Sequence, residues 1–240
     1  MIFPRSKPVP VQYVIDTDWH DTPIPKGIFP NIERQYAALD IGCPAMAATN
    51  NKLFDVLSPF SFDLTFGRDE FGDPHWHYEF DPKIHRDAKP SLHDVLPAIL
   101  TQSVTGEKSI QMQMSMPYCL VTDEKDTSVT ILPPHNIQYE NCSFASGEFV
   151  FTDWIRHLAS AWVLRDETKP AVVHFEVGKP CMSLYFNKQI RLAYTEMTQT
   201  IRDYTGQINN ANYYRTNTVE ALFGTVKSRR PKKLLVRNGD

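Results

Sequence analysis

The pattern with the clearest capacity for chemistry is His75-Trp76-His77-Tyr78-Glu79, followed a few residues later by His85. Side chains alternate sides along an extended strand, so His75, His77 and Glu79 share one face. Two imidazoles and a carboxylate on one face could hold a single cation, and iron, manganese or zinc suits those donors. His174 and His157 are the candidates for a further ligand; within Ala171–Val177, His174 shares a face with Val172 and Glu176. The same alternation also has a purely structural reading, in which Trp76, Tyr78 and Phe80 face a core while His75, His77 and Glu79 face water.

Cupin-type metalloproteins use a similar His-x-His plus Glu arrangement. Their second motif, glycine and proline ahead of another histidine near a turn, is not supplied by Pro134-His135 or Arg156-His157. No histidine combines an aspartate two residues on with the distal His–Arg pair of a 2-oxoglutarate oxygenase. There is no G-x-S-x-G elbow, and neither phosphate-cradling glycine motif occurs. Cys43, Cys119, Cys142 and Cys181 are far apart and form no C-x-x-C pair, so they read as reduced, mostly buried thiols outside any catalytic context. Carboxylates such as Asp16 with Asp18, or Asp69 with Glu70, define no acid/base pair, because that requires spatial separation and tuned pKa values. The sequence therefore leans away from an enzyme. If it is one, it is a metal-dependent oxygenase or cupin-type enzyme; otherwise no cofactor is expected.

The elements that must carry these residues are short. Eighteen prolines and ten glycines fall mostly in the first three quarters of the chain, which leaves little room there for long helices. Between the breaks, segments 11–15, 53–57, 60–66, 75–80, 109–116, 128–132, 148–154, 161–165, 171–177, 182–186 and 190–194 suit strands. In 60–66 the inward set is Phe60, Phe62, Leu64 and Phe66. In 109–116 it is Ile110, Met112, Met114 and Met116, with Ser109, Gln111, Gln113 and Ser115 turned to water. Many half-buried strands with turn-length spacers predict a mainly β chain, an antiparallel β-sandwich of jelly-roll type. From Glu196 the period changes: Met197, Ile201, Tyr204, Ile208, Ala211, Val219, Leu222 and Val226 recur at helical steps, with Arg215 in the one gap. The expected organisation is a sandwich over 1–195 with a Pro-rich N-terminal arm, an amphipathic helix over 196–226 packed on it, and a basic tail over 227–240.

That tail holds Lys227, Arg229, Arg230, Lys232, Lys233 and Arg237, and Leu234 to Val236 could pin it to the body. The net charge of −3 argues against a surface built to neutralise phosphates, so nucleic-acid contact is confined to this patch. The first sixteen residues lack an uninterrupted apolar stretch, and no run reaches the length of a membrane span. A cytoplasmic location, or a place in a virion, is expected. Trp19, Trp76, Trp154 and Trp162 fall near predicted strand ends, where aromatic side chains often anchor interfaces.

Several stretches resemble an uncharacterised family of proteins found in tailed bacteriophages, especially marine ones, and in some bacteria. They are Ile41-Gly42-Cys43-Pro44 leading to Asn51, Ser58-Pro59-Phe60, Pro133-Pro134-His135-Asn136, Gly147-Glu148-Phe149, Asp153-Trp154, Val173 to Pro180, and Leu184-Tyr185-Phe186. The resemblance covers roughly residues 40–190. It implies a phage-linked origin and a β-rich body, and carries no catalytic residue. The expected function is a non-enzymatic binding or structural protein of the infected cell or virion, with a protein partner and room for a homo-oligomer. The alternatives are a mononuclear metal protein using His75, His77, Glu79 and His174, and a sandwich that binds carbohydrate or nucleotide in a groove.

Overall fold

A computed structural model describes residues 7–16, 28–30, 52–80, 96–97, 99–105, 109–134, 137–152, 155–211, 231 and 233–235. In chain order its strands are β1 (Val9–Ile15), β2 (Ile28–Pro30), β3 (Leu53–Leu57), β4 (Phe62–Arg68), β5 (Pro74–Glu79), β6 (Leu100–Thr105), β7 (Ser109–Val121) and β8 (Ser128–Leu132). They continue with β9 (Gln138–Glu140), β10 (Cys142–Phe144), β11 (Gly147–Val150), β12 (His157–Leu164), β13 (Ala171–Phe175), β14 (Pro180–Phe186) and β15 (Ile190–Glu196), before helix α1 (Gln199–Ala211).

The chain is mainly β. Its strands form a six-stranded sheet ordered β10-β12-β7-β1-β15 with β6 also on β7, a five-stranded sheet β11-β8-β14-β3-β2, and a four-stranded sheet β5-β4-β13-β9. Pairing is antiparallel except between β1 and β15, which run parallel. Period-two alternation accounts for the burial within the strands: Phe62, Leu64 and Phe66 are buried, as are Ile110, Met112, Met114 and Met116, while Phe60, also buried, precedes β4. The opposing Gln111 and Gln113 are half-buried rather than open to water, and Gln113 lines a cleft with Ile131 and Phe149 of the five-stranded sheet. Predicted strand 148–154 is shorter in the structure, ending at Val150 and turning at Phe151 and Thr152; Trp154 lies outside the described residues.

Strand β7 runs longer than its alternating half, straight through Pro117. Its first half pairs with β6 and its last four residues with β1, and Pro117 sits where one partner gives way to the other. On the opposite side β12 bulges between His157 and Ala159 at the same level. A proline has no N–H to donate, and here no ladder bond requires one.

All three sheets contribute to one core. At its centre Trp162, fully buried, meets Phe144 and Phe175 edge-on at ring distances of 5.6 and 5.2 Å, and Phe175 stacks on Phe62 at 4.6 Å. The Trp162 Nε1 has no hydrogen-bond partner among the described residues. A second cluster lies on the six-stranded sheet, where Ile201 and Tyr204 of α1 cover Val14, Cys119, Val121 and Ile155. The Thr198 hydroxyl accepts from the Ile201 N–H at 3.3 Å and caps the helix. Leu234 joins this cluster, its N–H donating to Asp123 at 2.8 Å, so the tail is pinned at that point. Of the predicted helix over 196–226, residues 212–226 lie outside the described residues, as do Lys227, Arg229, Arg230, Lys232 and Arg237.

Trp162→Ala is expected to cost about 3–5 kcal/mol of stability. Trp162→Phe should cost under about 2 kcal/mol, since most ring contacts survive and the unpaired N–H is removed. Urea midpoints at unchanged slope would measure both.

Candidate functional site

The register of the four-stranded sheet sets its outward face. Glu79 lies opposite Asp63, Asp63 opposite His174, and His174 opposite Gln138, forming one polar row across four strands. In the next row His77 lies beside Thr65, and His75 beside Gly67. Trp76, Tyr78 and Phe80 turn the other way, onto the core. His75 and His77 are exposed with ring centroids 6.0 Å apart, as expected for alternate residues of one strand. Two donors so placed need a third from the adjoining strand, and Thr65 and Gly67 are not metal ligands of that kind. No group of three or more His, Cys, Asp or Glu is gathered closely enough to hold a metal ion among the described residues. His85 and His135 lie outside them.

His174 is instead held by Asp63, its Nδ1 lying 2.8 Å from Oδ1. Asp63 is the residue that sequence inspection passes over. The alternation of β4 places it outward, but its pairing with a histidine 111 positions away depends on register. The pair stands between two clefts. One, of about 380 Å³, is lined by Gln138, His174, Glu176, Lys179 and Pro180 among others. The second, of about 390 Å³, is lined by Asp63, Glu79, Phe80 and Glu176 among others. Glu176 and Lys179 sit on a tight turn with Gly178 at φ +76°, a conformation that favours glycine. Residues 58–61 hold that turn: the Ser61 hydroxyl accepts from Val177 N–H at 2.8 Å, and Ser58 O accepts from Gly178 N–H at 2.9 Å.

No family profile, no curated protein and no solved structure matches the chain. No helix among the described residues is long and apolar enough to cross a membrane.

A different cluster involves His157, whose Nε2 lies 3.0 Å from the Asp16 carboxylate; Asp16 also meets Arg202 of α1 at 3.7 Å. Burial alone would lower the imidazole pKa, but the Cys119 sulfur and the Asp16 carboxylate outweigh it and push the pKa up to about 10. This cluster ties α1 to the sheet. Cys119 is fully buried, as are Cys142 and Cys181, whose pKa values are raised by burial, that of Cys142 to about 11. The three described cysteines are buried and free, in line with the sequence reading, and Cys43 lies outside the described residues. A third cleft, of about 640 Å³, runs along β11, where Arg156 lies 5.7 Å over the Phe149 ring. Of the basic tail, Lys233 is exposed.

Because the folded pKa of His157 exceeds its unfolded value near 6.5, its contribution to stability is full below about pH 6.5. That contribution is lost as pH rises through about 10. The difference in unfolding free energy between the natural protein and His157→Asn should shrink over that interval, read from denaturation at pH 6 and pH 10. Adding zinc or ferrous iron to chelator-treated protein should move Tm by less than about 1 °C. A rise of several degrees that disappears in His75→Ala and His77→Ala would show that β5 does gather a cation.

Proposed function

We propose that the protein works by binding, as a phage-encoded structural or accessory component that contacts a host or phage protein, on a jelly-roll-like sandwich closed by its C-terminal helix. The phage link rests on the sequence resemblance. The observation that supports the binding role is the tip of the β4–β5 hairpin. Phe71 there is 81% exposed, although burying such a ring is worth about 1.5–3 kcal/mol.

The tip is tied in place. Asp69 Oδ1 accepts from the N–H groups of Phe71 and Asp73, each at 2.9 Å, and Asp69 N–H donates to Asp73 O at 2.9 Å. Arg68 donates to Gly72 O at 2.9 Å and pairs with Glu167 at 2.9 Å, while Gly72 takes φ +86°. An aromatic side chain presented on an ordered turn meets a partner with little further loss of conformational freedom. This is the physics of an interface anchor.

A photo-cross-linking phenylalanine analogue at position 71, introduced in infected cells, should give a discrete adduct with one other protein or with a particle component. Phe71→Asp should weaken that association about 10- to 100-fold and leave Tm within about 1 °C. Absence of any adduct, together with absence of the chain from purified particles, would overturn the proposal.

A further inference from the structure

The two clefts beside Asp63 and His174 share Phe175 and Glu176 in their walls, so they adjoin across the polar row. We propose that together they form a binding site for a neutral saccharide, separate from the Phe71 tip. Each cleft falls within the roughly 300–1,000 Å³ range of small-molecule sites.

The side chains that line them are unspent. Among the described residues, Glu79, Gln138, Glu176 and Lys179 make no side-chain hydrogen bond or ion pair, and His174 uses only Nδ1. The second ring nitrogen of His174, Nε2, remains open to a ligand hydroxyl, which can donate or accept. Sugar hydroxyls both donate and accept. The carboxylates accept, the Lys179 ammonium donates, and the Gln138 amide does both, which is the mixture that a polyol needs. Ile137 and Pro180 in one cleft and Phe80 in the other provide apolar wall for the C–H faces of a ring.

Charge decides between ligand classes. The first cleft sets one carboxylate, Glu176, against the Lys179 ammonium, while the second carries Asp63, Glu79 and Glu176 with no lysine or arginine in its wall, Asp63 being paired with His174. A phosphate or nucleotide would meet this excess of carboxylates, whereas an uncharged sugar would not. The turn that carries Glu176 and Lys179 is cross-tied to Ser58 and Ser61, so the site is formed before a ligand arrives.

The test is titration of the full chain with maltose, cellobiose, lactose, chitobiose and mannobiose, followed by NMR and calorimetry, with glucose 6-phosphate as the anionic comparison. At least one neutral disaccharide should bind saturably, with Kd about 0.1–10 mM. Glu176→Gln and Gln138→Ala, both at exposed positions, should weaken it at least tenfold without changing Tm. Phe71→Asp should bind the sugar normally. The proposal falls if no disaccharide saturates, if both cleft variants bind as well as the natural protein, or if glucose 6-phosphate binds more tightly than every neutral sugar. If it fails while the cross-link at position 71 persists, only the saccharide site is lost and the protein-binding role stands.

Discussion

The stacking of Phe62 on Phe175 fixes the outward face of the four-stranded sheet. These two rings face each other across β4 and β13, and Phe175 in turn meets Trp162 of the six-stranded sheet. Slippage of β13 by one residue would turn Phe175 to solvent and bring its neighbours onto the core. The buried rings thus hold the register that sets Asp63 against His174 on the other side of the same strands. Core packing and surface chemistry are here two faces of one constraint.

The same logic operates where the chain passes between sheets. Residues 58–61 leave the five-stranded sheet for the four-stranded one, and residues 176–179 return, and the two passages are bonded to each other. Backbone groups that leave a ladder need other partners, and Ser58 and Ser61 supply them. On the six-stranded sheet, α1 is held both by apolar contact through Ile201 and Tyr204 and by the Arg202–Asp16–His157 chain of charges.

Much of the architecture could be read from alternation, because a side chain's face follows from its position in a strand. Phe62 to Phe66 and Ile110 to Met116 show this, as does the burial of Ile201 and Tyr204 at helical spacing. The outward placing of His75, His77 and Glu79 follows from the same rule. What alternation cannot supply is which strand lies beside which. Asp63 with His174, and Asp16 with His157, meet only through long-range pairing. Strands of three residues, such as β9 and β10, are too short to show a period. Phe71 is hard to single out because its exposure depends on the turn that Asp69 closes, whereas Trp162, which invites attention as an anchor, is wholly enclosed.

The parallel partnership of β1 with β15 joins residue 9 to residue 190 in direct register. During synthesis, β1 emerges ahead of both strands it pairs with, and its outer edge stays uncovered until β15 follows. Its other neighbour, the end of β7, arrives around residue 118. Closing so wide a loop is an entropic cost met late, and contacts of this range slow folding. In the interval the nascent chain carries an open strand edge at β1, which makes β15 the closing step of this sheet as well as part of it.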